Sequence, residues 1–369
     1  MGSMRLKAVI LAGGFGTRLR PLTCTRPKIL FPIGNRPLLD WTLEGLARSG
    51  VEEVILTVNY MAETFMQRYG EFSHGLRIRY SREKRPLKTG GPIKRAEELI
   101  GHEEAFLALN GDVFTNLDYR RLVESHRRSG ATATIALYRV DDPSRYGVVE
   151  LAEDGRVMRF VEKPPPEAAP SNLVNAGIYV LSPEIFGYIP EGRPVSIEHE
   201  VFPRLARDGR LYGYEFEGLW VDIGLPEDYL EANRLFLDTY AKGGWLGKDV
   251  HLEPDVEIVQ PVLIGNGVTI GGKSKIGPYV VIGDHTSIGQ GVCITNSIIF
   301  ADAVVADFTS IRGAIIGENA IIGRWVKIED RCIVGDHAII LDNVTLTRGV
   351  TVCPSKEVAE SVLTPARLM

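Results

Sequence analysis

This 369-residue chain has no apolar run approaching the roughly 20 residues that a membrane-spanning helix needs. That absence argues against an integral membrane protein. Cations are not in excess either: 42 Lys and Arg stand against 47 Asp and Glu, a net charge of −5. A field of that sign gives no reason to expect nucleic acid or an anionic membrane as partner. Cysteine is scarce. Cys24, Cys293, Cys332 and Cys353 are scattered, without the C-x-x-C spacing of metal or redox sites, and are expected to be reduced, cytosolic packing residues. No leader-like segment opens the chain, so a cytoplasmic location is expected. Met1-Gly2-Ser3 reads as an expression remnant, with the natural start at Met4. Leu6 stands where a myristoylation signal needs Ser or Thr. What is left, 44% apolar and 24% charged, is the composition of an ordinary globular protein of two or three domains.

The most informative stretch follows the apolar run Ala8 to Leu11, which reads as a buried first strand. A turn then carries Gly13, Gly14 and Gly16, with Arg18 and Lys28 close behind. Without a Cβ, the backbone can approach a ligand and aim its N–H groups at phosphate oxygens. A strand end, a glycine turn and two cations suit a polyphosphate. Two familiar loops do not fit. The Walker pattern G-x-x-x-x-G-K-[ST] is missing, and Gly14-Phe-Gly16 runs into Thr17-Arg18-Leu19 where a dinucleotide fingerprint needs a third glycine.

Leu11 to Leu30 as a whole resembles the signature of the sugar-1-phosphate nucleotidyltransferases, roughly G-x-G-x-R-L-x-P-L-T followed by P-K-P. Pro-Lys-Ile29 departs from it at one position. The resemblance implies that Arg18 and Lys28 are catalytic and that Leu11, Ala12, Gly13 and Gly14 contact the nucleotide. Up to about residue 240, apolar runs alternate with helical patterns, as in an α/β domain on a mostly parallel sheet, and the resemblance makes it Rossmann-like.

A second loop, Ser81 to Pro92, would meet the first beyond the carboxyl ends of the strands. It resembles the family's base-reading loop, with Pro86, Thr89 and Gly90 among its nucleotide contacts. Glu83 stands where uridylyl and thymidylyl enzymes carry Gln. A carboxylate offers only acceptors, whereas guanine offers two adjacent donors. A wrong base would leave buried polar groups unpaired, at a cost on the order of 1–3 kcal/mol. Pro86-Leu-Lys-Thr-Gly-Gly-Pro most resembles the corresponding loop of mannose-1-phosphate guanylyltransferases, with Lys88 in place of a glycine. If that position has positive φ, lysine costs roughly 1 kcal/mol there.

Asn110-Gly111-Asp112 closes a buried strand, and Trp220-Val-Asp222-Ile-Gly224 closes another. The resemblance implies that Asp112 and Asp222 bind Mg²⁺, an ion that takes one or two carboxylates plus substrate phosphates. It also implies a sugar-phosphate site from Gly147 of Tyr-Gly, Glu162 and Lys163 of Glu-Lys-Pro, and Asn175 of Asn-Ala-Gly. The chemistry is consistent, since a sugar needs acceptors and a phosphate needs a cation.

Past Ala241 the pattern changes. Leu252, Ile258, Ile264, Ile270, Ile276, Ile282, Ile288 and Ile294 recur every six residues, Phe300 continues the row, and after a slip near Ser310 it resumes from Ile316 to Val352. A hexapeptide repeat marks a parallel β-helix, and this one resembles the left-handed kind. Such domains serve as acyltransferases with a histidine base or as platforms for oligomerisation. His251, His285 and His337 sit at ordinary turn or edge positions, so the platform is favoured. The expected organisation is a remnant at 1–3, a catalytic domain at 4–240, a linker at 241–249, a β-helix at 250–354 and a partly helical tail at 355–369. The expected partners are an NTP, most readily GTP, and a sugar 1-phosphate, most readily mannose 1-phosphate, with a homo-oligomer formed through the β-helix. Other sugars or bases, an added acetyl transfer and a non-catalytic regulatory subunit are the alternatives.

Overall fold

The computed structural model describes residues 6–59 and 61–368, so the expected remnant at 1–3 lies outside the described residues. Two compact units emerge. One joins the chain up to Phe15 to Leu38–Asp222, and the other joins Gly16–Pro37 to the chain from Ile223 onward. No helix among the described residues is long and apolar enough to cross a membrane.

The first unit is a Rossmann-like α/β layer. Its central strand, Leu6–Leu11, lies between Val51–Val58 and Phe106–Asn110, and Leu76–Arg82 pairs beyond Val51–Val58. All four strands are parallel, so their carboxyl ends lie along one edge of the sheet. Ala8, Val9 and Ile10 are fully buried, as a strand covered on both faces demands. The other side of the sheet is built antiparallel from Leu173–Leu181, Ala133–Arg139, Gly147–Leu151 and Val157–Glu162. Helices cover the faces. Leu38–Arg48 buries Leu39, Leu43 and Leu46. Asp118 caps Tyr119–Ser129 by accepting a bond from the Arg120 N–H.

The second unit is built on a β-helix. Short strands form parallel sheets of eight, seven and six members, each strand pairing with the one a coil later. Ile264, Ile270, Ile276, Ile282, Ile288 and Ile294 point inward and are buried. Corner residues take positive φ, among them Asp255, His285, Asn319, His337 and Asn343. Asn, Asp and His tolerate that conformation better than other residues with side chains. His285 and His337 therefore stand at turns, as their place in the repeat suggested. Gly283 has no room for a side chain: a Cβ there would lie 2.4 Å from the Ala301 nitrogen of the next coil.

Several expectations need correction. The ladder begins at Trp245–Leu246, within the stretch expected as a linker. It continues through Glu357–Val358 and Arg367–Leu368, so the segment expected as a helical tail adds strands instead. The inward row does not pass through Phe300. Val262 pairs with Val280, but Val280 pairs with Ser297, one residue sooner. Ile299 thus takes the inward place, and the row recovers the longer spacing only where Ile315 pairs with Ile333. Phe300 faces outward, buried against the Tyr229 ring at 6.2 Å and under the Arg26 guanidinium at 4.9 Å. Cys24 is exposed and not packed, while Cys332 is buried.

Candidate active site

Leu11, Gly13, Gly14, Phe15, Thr57, Asn59, Glu83, Pro86, Lys88, Thr89, Asn110 and Asp112 line one cavity of about 320 Å³. Each lies at or just past the carboxyl end of a parallel strand, or in the loop after Leu76–Arg82. A Cβ on Gly13 would stand 3.3 Å from the Asn59 amide and from Glu83 Oε1. The absent side chain is what lets these groups close on the turn. Asn59 Nδ2 donates to the Gly13 carbonyl and holds the turn down.

Glu83 is 8% exposed. Its Oε2 accepts from the Leu87 N–H at 3.3 Å, whereas Oε1 is buried with no hydrogen-bond partner. Burial pushes this carboxyl above its ordinary range, against the pull of the Leu87 N–H and of Arg95. A buried acceptor without a donor is costly, and each such group in a native structure calls for an explanation. Lys88 has φ of 61°, so the position does favour glycine and lysine is strained there. Gly90 begins the helix Gly90–Arg95 and donates to the Val195 carbonyl at 2.8 Å. Ala12 donates to the Thr57 carbonyl at 3.0 Å, fixing the start of the turn.

A short antiparallel ladder brings the backbone at Asp222 beside that next to Asp112. Val113–Thr115 pairs with Trp220–Asp222, and Asp222 stands opposite Val113, the neighbour of Asp112. Carboxylates are hard oxygen donors of the kind Mg²⁺ takes alongside phosphates and water. Among the described residues no cluster of three or more metal-ligating side chains forms.

A second group of residues surrounds Glu162. Burial first, then the nearby Glu198, push its carboxyl upward, while Lys163 and His199 oppose them. A Cβ on Gly147 would lie 2.7 Å from Glu162 Oε2, so only glycine leaves space there. Lys163 Nζ is 3.7 Å from Glu162 Oε1, and Lys163 itself sits at φ 48°. A lysine in that region is strained, a common mark of functional positions. Asn175 lies where Leu173–Leu181 shifts register against Ala133–Arg139. Its Oδ1 accepts from the Gly177 N–H at 2.9 Å, and its Nδ2 donates to the Tyr179 hydroxyl at 3.0 Å. Such bulges re-aim side chains at sites.

Arg18 and Lys28 belong to the second unit. Arg18 is exposed in the 3-10 turn Thr17–Leu19, which Gly16 enters at φ 57°. Lys28 opens the turn Lys28–Leu30, whose Ile29 is buried. That burial suits the isoleucine that stands where the motif usually has proline.

Residues 7–239 match the family model described as nucleotidyl transferase. The chain belongs to the nucleotidyl transferase family. Residues 258–368 match a model described as the GMPPB C-terminal domain. A mannose-1-phosphate guanyltransferase of Aspergillus oryzae is 39% identical over 99% of this chain and 100% of its own length. Among solved structures, HddC from Yersinia pseudotuberculosis complexed with GMP-PN superposes with a TM-score of 0.54 at 31% identity, over 63% of this chain and 99% of its own. A UDP-glucose pyrophosphorylase complexed with UDP-glucose gives 0.57 at 27% identity, over 64% of this chain and 99% of that one. The protein is an enzyme, and its reaction is nucleotidyl transfer.

Two polar residues of this nucleotidyl transferase escaped the sequence reading. Asn59 follows a buried strand, a position that could have drawn notice. Glu198 carries no such signal. It sits in the π-turn Ile197–Val201, accepting from the Thr89 hydroxyl at 2.5 Å and the Ser196 hydroxyl at 2.8 Å. Single π-turns are rare and often functional. This one links the loop Ser81–Pro92, through Thr89, to the group around Glu162.

Proposed function

We propose that the enzyme transfers a guanylyl group from GTP to a sugar 1-phosphate, mannose 1-phosphate in the first place, releasing pyrophosphate. The observation that carries this reading is the Glu83 carboxylate, which faces the Gly13 backbone with one oxygen buried and without a donor. Guanine supplies two adjacent donors to such a group, and uracil or thymine supplies one flanked by acceptors. The similarity to the Aspergillus oryzae mannose-1-phosphate guanyltransferase and to HddC complexed with GMP-PN supports the same choice.

In this reading a phosphate oxygen of the sugar 1-phosphate forms a bond to the α-phosphorus in line as the bond to the β-phosphate oxygen breaks. The nucleophile is already ionised, so no residue has to remove a proton. Catalysis then consists of positioning and electrostatic stabilisation. The Gly13 and Gly14 backbone cradles the phosphates. Arg18 and Lys28 stabilise charge on the departing pyrophosphate. Lys163 places the sugar phosphate, while Glu162, Asn175 and the Gly147 backbone hold the sugar. Asp112 and Asp222 would hold Mg²⁺, which when bound neutralises phosphate charge.

The test is pyrophosphate release with Mg²⁺, crossing GTP, UTP, dTTP, ATP and CTP with mannose, glucose, N-acetylglucosamine and heptose 1-phosphates. A preference for GTP is expected whatever the sugar. A preference for UTP or dTTP would overturn the role given to Glu83.

A further inference from the structure

The stretch Gly16–Pro37, which carries Arg18 and Lys28, is part of the same compact unit as the β-helix. Its attachment is polar and specific. Arg26 Nη2 donates to Asp336 Oδ2 at 2.9 Å and also to Glu318 Oε2. The Thr25 hydroxyl donates to the same Asp336 oxygen at 2.6 Å. The Arg26 guanidinium lies over the Phe300 ring. Further along, Asn35 Nδ2 donates to the Ile282 carbonyl at 2.7 Å, and the Tyr229 hydroxyl donates to the Pro32 carbonyl at 2.6 Å.

Asp336 holds a common post in this β-helix. Asp284, Asp307 and Asp342 occupy corners of other coils, and each accepts from a backbone N–H one coil earlier through Oδ1. Asp336 does the same, accepting from the Glu318 N–H at 2.8 Å. It differs in two ways. Its second oxygen is turned onto Arg26 and Thr25, and it is 3% exposed where Asp284 and Asp307 are half-buried and Asp342 is exposed. A corner aspartate that elsewhere only stitches coils together is here also a receptor for the loop. The phase shift contributes too. The shorter coil turns Phe300 outward, where it forms the floor beneath Arg26.

We propose that Asp336, with Glu318 and Phe300, is a positioning residue: within its own unit it holds the Gly16–Pro37 segment through Arg26 and so sets the conformation in which Arg18 and Lys28 are presented. The proposal rests on the reading that those two cations act on the leaving pyrophosphate. Arg26 and Lys28 are separated by one buried proline, so a shift at Arg26 is passed directly to Lys28. Displacements near 1 Å at such groups cost about ten- to a hundred-fold in rate.

The experiment uses Asp336→Asn in the full chain. Asparagine keeps the Oδ1 acceptor for the Glu318 N–H but turns a donor toward Arg26. Glu318→Gln is the second variant, because that half-buried side chain can be changed while the backbone bonds of Glu318 to Asp336 and His337 remain. Two readouts are taken on each. Amide hydrogen exchange is followed at Leu19, Cys24, Leu30 and Phe31, whose N–H groups bond within the loop, with Ile333 as the β-helix control. Initial rates give kcat and the KM of each substrate. The expected result is faster exchange at the loop amides, unchanged exchange at Ile333, and kcat lowered about ten-fold with the KM of the sugar phosphate held within about two-fold. An Arg26→Gln and Asp336→Asn double variant should lose no more than either single one. Unchanged exchange at the loop in both variants would overturn the anchor itself. Faster exchange with unchanged kcat would leave the anchor standing and overturn its catalytic role, and with it the part given to Arg18 and Lys28.

Discussion

Glu83→Gln removes one negative charge from the cavity and replaces an acceptor with a donor at nearly constant volume. In the native protein Oε2 is occupied by the Leu87 N–H, and Oε1 is buried without a partner. Against guanine, the carboxylate accepts from both donors of the base edge. Glutamine accepts from one and faces the other with its own N–H. The loss is one charge-assisted bond plus a buried donor left unpaired, together about 3 kcal/mol, or roughly a hundred-fold in kcat/KM for GTP. The same substitution suits uracil, so kcat/KM for UTP should rise. The pH dependence supplies an internal check. Burial raises the Glu83 carboxyl above its ordinary value. Ionised Glu83 therefore costs stability above the ordinary carboxylate range, and that cost is relieved as pH falls through the raised value. Binding runs the other way, because the protonated acid has lost an acceptor. Acid should thus weaken GTP use through a limb lying above the ordinary carboxylate range, and Glu83→Gln should abolish that limb while leaving the fold as stable or more so. The assay is kcat/KM for GTP and UTP across mildly acidic to neutral pH, with thermal midpoints in parallel. A variant retaining GTP kcat/KM within about three-fold of the native value would refute the reasoning.

Other outcomes follow from the same geometry. Asp112→Ala should abolish turnover and leave the circular dichroism spectrum and thermal midpoint nearly unchanged; full activity would remove Asp112 from the metal site. Lys88→Gly relieves a strain of about 1 kcal/mol at φ 61°, partly offset by glycine's larger freedom when unfolded, so the midpoint should rise by no more than about 3 °C. Gly283→Ala forces a Cβ against the Ala301 backbone and should destabilise the β-helix by about 1–3 kcal/mol, read by denaturant unfolding. His126 is buried between the Thr134 and Ser182 hydroxyls, and burial lowers its pKa from 6.5 to about 4. The unfolded chain takes up that proton first, so the stability His126 contributes is whole above pH 6.5 and declines toward pH 4, by about 3 kcal/mol in all. A His126→Gln variant should lose that slope.

Much of this protein was legible as sequence because its determinants are local. Strand and helix periods, the glycine turn, the Glu-Lys-Pro and Asn-Ala-Gly strings and the six-residue repeat each depend on residues close together in the chain. The β-helix row could be read to Ile294 for the same reason. It failed at Phe300 because a shortened coil leaves no trace in composition; only the pairing of Val280 with Ser297 reveals that Ile299 is the inward residue. The Glu83 argument was chemical and needed no structure, but the orphaned oxygen did. Burial of a single atom depends on how a turn after the first strand meets a loop dozens of residues away. Glu198 and Asn59 were missed because a lone polar residue has no pattern until folding surrounds it. Arg26 looked like one more cation in a basic loop until the coil brought Asp336, more than three hundred residues distant, to meet it. The sequence by itself determined the class of chemistry and the two architectures, since both follow from short-range pattern. The tertiary structure alone decided which acceptor stands without a donor and what holds the Gly16–Pro37 loop, because those depend on contacts between segments far apart along the chain.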